Sequence, residues 1–232
     1  SLAVASQEID DIPVYITELE SKVNCNGALS GQDIVSDSDG REVEVLYFCK
    51  DGNPSLQEAR IFNDRKWVDT EINKVNFGED LFTVREKYYT FYDSGNIKTA
   101  TEHFVKYNVK DDTKETKHTI IDEYSEDRRI LKTVKIQTNN TTEESWEYFP
   151  NGTRSKYTVV ITTAKDKSES IVDYDQSGEK IRDIEIYYDL VENKPYKKAI
   201  TEYDLKSQKI VQVVVYEYEN GVEKFKTVDD YE

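Results

Sequence analysis

Cys25 and Cys49 are the two cysteines of this 232-residue chain and its clearest candidates for covalent chemistry. An even number of cysteines favours a disulfide in an exported protein. A bridge between them would close a loop of about 25 residues and contribute roughly 3 kcal/mol by restricting the unfolded chain. Two buried free thiols are the alternative. Zinc binding is disfavoured, because the CxxC spacing is absent and the two histidines, His103 and His118, are distant in sequence.

Catalysis by other side chains finds little support in the sequence. His103 and His118 lie in the segments EHFVK and KHTII, whose patterns are typical of strands. Motifs for a serine nucleophile, a dinucleotide or phosphate loop and a zinc protease are absent. Paired carboxylates could hydrolyse glycosides, but 47 acidic residues produce such pairs by chance and none is singled out. We predict no catalytic residue and no cofactor, with a carboxylate-dependent glycoside hydrolase of unlocated site as the alternative function.

The segment DSDGRE at 37–42 contains part of the pattern of a calcium-binding loop. Alignment with an EF-hand places Val35 and Leu46 at the first and last ligand positions, where carboxylates are required. The EF-hand interpretation therefore fails. A β-turn is favoured over a calcium site of another kind, and no metal site is predicted.

The charge balance limits the class of partner. The chain carries 31 Lys and Arg against 47 Asp and Glu, a net charge of −16, and no segment gathers the basic residues into a patch. Nucleic acids and anionic membrane surfaces attract clustered basic residues, so both are disfavoured as partners. An apolar run of about 18 residues is also absent, so no membrane span is predicted.

The N-terminal sequence SLAVASQE indicates export. Ala3, Val4 and Ala5 have the small-x-small form of a signal-peptidase site, which we interpret as the remnant of a removed signal. The alternative is that Ser1 derives from an expression tag and that the rest is native. On the first interpretation the protein is periplasmic, displayed at the cell surface or secreted.

A tyrosine followed by turn-forming residues and then a basic residue recurs along the chain. The copies are YDSGNIKT (92–99), YSEDRRILKT (124–133), YFPNGTRSK (148–156), YDQSGEKIRD (174–183), YDLKSQKIVQ (203–212) and YENGVEKFKT (218–227), with a fainter copy, YFCKDGNPS, at 47–55. Asp, Asn and Gly favour a tight turn, and the flanking β-branched residues favour strands, so each copy predicts a β-hairpin.

These hairpins predict an all-β protein built as an antiparallel up-and-down meander. Ten or more strands between residues 84 and 229 would form an extended twisted sheet. The polar segments are expected to be long connections at the end of the sheet opposite the tight turns, and they are 110–117, 138–144, 164–170 and 190–195.

The N-terminal segment is less regular than the rest. Residues 41–49 alternate as a strand and 58–72 indicate a hairpin, whereas 9–23 fit a short helix or an edge strand equally well. The sequence therefore divides into an N-terminal segment, 1–80, with the disulfide and one or two hairpins, and a β-hairpin repeat region, 81–232.

The repeat resembles the YD-type and MORN-like β-hairpin repeats of exported and surface proteins. The segments YDQSGEKI and YFPNGTRSK carry the resemblance, whereas YSEDRRILKT and YDLKSQKI depart from it because they lack the glycine. The chain is also similar to uncharacterised exported proteins of gut Bacteroidetes. The resemblance implies a hairpin architecture and transfers no catalytic residue.

An exported, non-catalytic binding or scaffold module is the function that these features favour. Its sheet would display aromatic side chains among acidic ones to a protein or glycan. The candidate binding aromatics are Trp67, Trp146, Tyr92, Tyr124, Tyr148, Tyr174 and Tyr203. We expect the five tyrosines to occupy equivalent positions at the ends of alternate strands, where each ring covers the neighbouring strand and anchors its turn.

Overall fold

The computed structural model describes residues 12–76, 78 and 80–231. In this part of the chain fifteen strands form one antiparallel sheet, in which each strand pairs with its neighbours in sequence, and helix accounts for 4%. The sheet is not closed. The predicted all-β meander is therefore confirmed. The segment from Ala3 to Ala5, interpreted above as a signal remnant, lies outside the described residues.

The helix α1 spans Ile12–Ser21, and the strands are β1 (Ser30–Ser36), β2 (Glu42–Lys50), β3 (Asn53–Phe62), β4 (Val68–Asn76), β5 (Leu81–Phe91), β6 (Ile97–Asn108), β7 (Thr113–Tyr124), β8 (Ile130–Gln137), β9 (Asn140–Tyr148), β10 (Arg154–Thr163), β11 (Lys167–Tyr174), β12 (Lys180–Asp189), β13 (Lys194–Tyr203), β14 (Ile210–Glu219) and β15 (Val222–Asp230). Ten-residue α1 is the only helix among the described residues and is too short to cross a membrane.

The connections alternate in length along the meander. Those from an odd-numbered to an even-numbered strand have five residues, or six after β13, whereas the others have two to four. The prediction of long connections in the polar segments is wrong, because β7, β9, β11 and β13 begin within them, at 110–117, 138–144, 164–170 and 190–195. Where both faces of a sheet are partly exposed, a strand does not need apolar alternation, so polar strands resemble loops in sequence.

Backbone contacts divide the chain into two compact units. The N-terminal unit comprises the described residues of Ser1–Gly95 together with Ala100–Lys117, and the C-terminal unit comprises those of Asn96–Thr99 and His118–Glu232.

In the N-terminal unit α1 packs on the sheet and creates a core. Ile16 and Leu19 are one helical turn apart, are 2% and 0% exposed, and cluster with Val43 and Val45, the inward residues of β2. Of the two structures that fit 9–23, the described residues form the helix. Pro13 lies in its first turn, where a missing N–H leaves no hydrogen bond unmade.

Cys25 and Cys49 form the predicted disulfide, with their Cα atoms 5.9 Å apart. The bridge ties the segment after α1 to the end of β2. Cys25 is 3% exposed and belongs to the same core cluster as α1, so the bridge lies within the packed part of the unit. It stabilises the fold by restricting the unfolded chain.

The C-terminal unit has almost no buried side chains. Among residues 118–231, Val214 alone is buried, at 7% exposure. Its neighbours on the adjacent strands are Ile200 and Val228, and the next row of that face carries Lys198 and Lys226. The methylene stems of such long side chains can cover apolar surface while their charged ends stay in water.

The connections of five residues contain a recurrent turn. In Asp175–Glu179 and Ser125–Arg129 the first N–H bonds to the fifth carbonyl, and the fourth N–H bonds to the first carbonyl, at 2.8–3.1 Å. The fourth residue has a positive φ, 91° in Gly178 and 69° in Arg128. This is a type I turn closed by a left-handed residue, so the glycine of the repeat marks the left-handed position.

Four of the five recurring tyrosines end alternate strands as predicted, on β7, β9, β11 and β13: Tyr124, Tyr148, Tyr174 and Tyr203. The expectation for Tyr92 is wrong, because Phe91 ends β5 and Tyr92 is the first residue of the connection. The segment YDSG has one residue fewer between tyrosine and glycine than YDQSG, so alignment on the tyrosine displaces this copy by one position.

The copies at 47–55 and 218–227 are turns of another kind. They contain the two-residue connections Asp51-Gly52 and Asn220-Gly221, in which both residues have positive φ. This is the requirement of a type I′ hairpin. Both connect an even-numbered to an odd-numbered strand, so these two copies do not belong to the five-residue series.

Candidate functional site

A shallow concavity of about 410 Å³ lies on the N-terminal unit, where the turn between β3 and β4 meets the end of β5. Its lining consists of an aromatic group, three carboxylates and three further polar residues: Trp67, Tyr89 and Phe91; Asp64, Asp69 and Asp93; Asn63, Arg65 and Thr90. A concave shape with aromatic surface and a few convergent polar groups is typical of a binding site.

The turn between β3 and β4 fixes the position of Trp67. The Asn63 side-chain oxygen accepts hydrogen bonds from the N–H groups of Arg65 and Trp67, at 2.9 and 3.1 Å. Asparagine at the start of a turn commonly bonds its own backbone in this way. Lys66 takes the left-handed position with φ of 61°, and Trp67 follows it directly.

The indole of Trp67 is held from several sides. Its ring centroid is 5.1 Å from that of Phe91, with the planes tilted by 52°, and the guanidinium carbon of Arg65 lies 5.2 Å from the ring. A Cβ at Gly95 would lie 3.0 Å from Trp67 Cζ2. Glycine at 95 therefore meets two requirements, the close approach of the indole and a φ of 89°.

Negative charge exceeds positive charge in this concavity. Arg65 Nη2 lies 3.6 Å from Asp93 Oδ1, and the Asp93 side chain is fully exposed. Asp69 Oδ1 accepts a hydrogen bond of 3.1 Å from Thr70 Oγ1. Within the described part of the chain, no cation lies within ion-pair distance of Asp64 or Asp69.

Three strand-end tyrosines of the C-terminal unit lie under cations from the preceding hairpin. Arg129 lies 5.4 Å from the ring of Tyr148, Arg154 lies 6.0 Å from that of Tyr174, and Lys180 lies 5.2 Å from that of Tyr203. Each cation comes one or two residues after the left-handed position of its turn. We call these three pairs the cation rungs.

The hydroxyls of two of these tyrosines also bond to the preceding hairpin. Tyr148 donates to the carbonyl of Ile130 at 2.8 Å, and Tyr203 donates to Asp183 Oδ2 at 2.5 Å. These contacts agree with the predicted role of the tyrosines as hairpin anchors, because ring and hydroxyl both join successive hairpins.

The other two predicted aromatics lie elsewhere. Trp146 of β9 is directly opposite Tyr157 of β10, with ring centroids 5.4 Å apart, and forms a cross-strand pair in the C-terminal unit. Tyr92 is half-buried in the turn after β5 and does not line the concavity. Of the seven predicted aromatics, the concavity contains Trp67.

Glu86 of β5 is a buried carboxyl that the sequence analysis missed. It is 2% exposed, points to the core side with Val84, and accepts a hydrogen bond of 2.8 Å from the Tyr88 hydroxyl. Burial raises the pKa of Glu86 to about 7, although the Tyr88 hydrogen bond and the charge of Lys114 favour the ionised form. A pKa near neutrality suits proton transfer, but this burial keeps the carboxyl from a polymeric substrate.

Phe91 and Tyr89 were also missed as site residues. The signal for Phe91 is its distance of four residues from Gly95, which equals the distance between Tyr174 and Gly178. The signal for Glu86 is the alternation Phe82, Val84, Glu86, because every second residue of a strand points to the same face.

Comparisons with known proteins give little more. No protein-family model and no curated protein matches the chain. Among solved structures, a protein of unknown function from Bacteroides fragilis NCTC 9343 matches with 9% identity and a TM-score of 0.18, covering 62% of this chain and 91% of its own. A similarity at this level carries no conclusion about function.

Proposed function

We propose that this protein is an exported, non-catalytic binding module that presents the Trp67 concavity, within an acidic sheet surface, to a protein or glycan. The observation that carries the proposal is the grouping of Trp67 and Phe91 with Asp64 and Asp69 in one concave site. Aromatic rings offer a large contact area at low entropic cost, and carboxylates accept hydrogen bonds from ligand donors.

The hairpins of the C-terminal unit act as the scaffold of this module. Their assignment as YD-type or MORN-like repeats is part of the proposal, supported by the recurrent turn and the strand-end tyrosines at 124, 148, 174 and 203. The cation rungs occupy ring faces that a ligand would otherwise contact. The scaffold role therefore takes precedence over binding at these tyrosines.

Export is supported by the disulfide between Cys25 and Cys49. Disulfides form and persist in oxidising compartments and are rare in reducing ones. A periplasmic, surface-displayed or secreted location follows as part of the proposal. Fractionation of the native source, with detection by a specific antibody, would test it, and recovery from the cytosol alone would contradict it.

Binding is tested by applying the purified protein to arrays of glycans and peptides. We expect a set of ligands whose binding falls at least about tenfold in Asp64→Asn/Asp69→Asn, which loses two carboxylates of the concavity. The matched control is Glu126→Gln/Glu223→Gln, which removes the same charge from exposed positions of the C-terminal unit. Melting temperatures equal to that of the parent protein would show that the fold of both variants is intact.

The proposal fails if no arrayed ligand distinguishes the two double variants. Binding that both variants lose equally would also contradict it, since that result would locate recognition in the overall negative charge. Hydrolysis of an arrayed glycan would favour the glycoside hydrolase over the binding module.

A further inference from the structure

We propose that the Trp67 concavity recognises a basic segment of a protein partner, by taking an Arg or Lys side chain against Phe91 and between Asp64 and Asp69. This inference rests on the proposed function and names the class of ligand. Three observations support it. They are the difference between the strand end at Phe91 and the cation rungs, the charges in the site, and the contacts of Arg65, a cation that already lies in the site.

The strand end at Phe91 differs from the cation rungs in what the preceding hairpin supplies. At Tyr148, the covering group is Arg129, the residue directly after the left-handed position of the turn. The corresponding residue for Phe91 is Trp67, which follows Lys66. A ring therefore stands where the Tyr148 rung has a cation, so this position has two aromatic walls and a concave space.

The electrostatics of the site favour a cation in that space. Asp64 and Asp69 both line the concavity, and neither has a cation within ion-pair distance among the described residues. The chain as a whole carries a net charge of −16, which attracts basic partners over the Debye length. A cation held against an aromatic ring and beside a carboxylate gains from both contacts.

Arg65 shows that the geometry suits a guanidinium. Its group lies 5.2 Å from the Trp67 ring and 3.6 Å from Asp93, and its side chain remains 57% exposed. Arg65 thus already contacts one ring and one carboxylate of the site, those of Trp67 and Asp93. Phe91, Asp64 and Asp69 provide the corresponding surface for a second cation from a partner.

The test uses the two tryptophans as reporters, since Trp67 and Trp146 are the only ones in the chain. Their indole N–H signals in a nitrogen-15-labelled sample can be assigned with Trp146→Phe. The probes are the peptide Gly-Ser-Arg-Gly-Ser-Arg-Gly-Ser, the same peptide with citrulline in place of arginine, and the neutral hexasaccharide cellohexaose. Citrulline preserves the shape of arginine and removes its charge.

We expect the arginine peptide to shift the Trp67 signal in a saturable manner and to leave Trp146 unmoved. The citrulline peptide should bind at least about tenfold more weakly, because it lacks the charge that the ring and the carboxylates recognise. Asp64→Asn should weaken the binding of the arginine peptide. Glu126→Gln, at the same position of a turn in the C-terminal unit, should not.

Other results would overturn the inference in distinguishable ways. Equal affinity for the arginine and citrulline peptides, or parallel shifts of both indoles, would refute recognition of a cation at this site. A shift of Trp67 with cellohexaose alone would refute the basic partner and leave the proposed binding function standing. No shift of Trp67 with any probe would also refute the basic partner, whereas the binding function itself is decided by the arrays of glycans and peptides.

Discussion

The two units of this protein stabilise the same kind of hairpin by different means. In the N-terminal unit α1 and the disulfide close over the inward side chains, so that β2 alternates between buried and partly exposed positions. In the C-terminal unit one residue among 118–231 is buried, and successive hairpins are joined by the cation rungs and tyrosine hydroxyls. Local contacts between neighbours thus take the place of a core.

The two units also differ in how their aromatic side chains are used. On β5, Tyr89 and Phe91 alternate with the core-facing Phe82 and Val84, so the aromatic lining of the concavity in the N-terminal unit belongs to the face opposite the core. In the C-terminal unit the rings of Tyr148, Tyr174 and Tyr203 join successive hairpins.

Truncating a core side chain should have the largest effect on the free energy of unfolding, and this effect should differ between the two units. Leu19→Ala removes a side chain that is 0% exposed and should destabilise the N-terminal unit by about 3 kcal/mol. The matched change Ile200→Ala, on the partly exposed face beside Val214, should cost about 1 kcal/mol. Urea unfolding followed by Trp67 fluorescence in Trp146→Phe, and by Trp146 fluorescence in Trp67→Phe, measures each unit.

Equal losses for the two substitutions would contradict the comparison, because they would require a core in the C-terminal unit as well. A loss that both fluorescence signals report together would show that the units unfold as one.

The hairpins could be predicted from the sequence because their turns are determined locally. Asp175 to Gly178 contain the residue types that a type I turn with a left-handed fourth residue requires, whatever lies around them. The polar strands could not be predicted, since the residues at 140–144 form a strand only through pairing with β8 and β10.

The candidate site was predicted only in part. Trp67 was predicted as one of the aromatic side chains that the sheet displays, but the concavity depends on the meeting of two hairpins. Phe91 comes from the second of them, 24 residues further along the chain, and was hidden by the alignment on Tyr92. Spacing within one hairpin does not specify which side chains of the next one approach it.

Glu86 provides a test of the core by pH. Its pKa rises from an ordinary value near 4.5 to about 7 in the folded state, so folding favours the protonated carboxyl. The stabilisation from that proton is full below pH 4.5 and is lost as pH rises through 7, a change of roughly 3 kcal/mol. We expect Glu86→Gln to reduce this pH dependence of the stability of the N-terminal unit. Urea titrations between pH 5 and pH 8 measure it.

The control for Glu86→Gln is Glu185→Gln, an exposed carboxylate that accepts a hydrogen bond from Tyr187 in the C-terminal unit. It should leave the pH dependence of the N-terminal unit unchanged. A parent protein whose N-terminal unit is equally stable at pH 5 and pH 8 would contradict the assignment.

Removing a cation rung should have a smaller effect, confined to the C-terminal unit. Tyr174→Ala loses the contact with Arg154 and the cover of its turn, and should cost about 1 kcal/mol. Tyr231→Ala, which removes a ring that is 51% exposed, is the control and should cost less. If Tyr174→Ala melts like the parent while a ligand is lost, the tyrosine is a binding residue first and an anchor second.

The turn is the feature that both units share, so it should respond to substitution in the same way in each. A Cβ at Gly178 would meet nothing within 4 Å, and the cost of Gly178→Ala is therefore that of a side chain at φ of 91°. Lys66→Gly makes the opposite change at φ of 61° and gives up an exposed ion pair with Glu42, which is worth little. We expect about 1 kcal/mol of destabilisation from the first and a gain of up to about 1 kcal/mol from the second, because a left-handed conformation strains any residue with a Cβ. Thermal melts of each unit measure both, and two changes of the same sign would show that the left-handed position does not govern this turn.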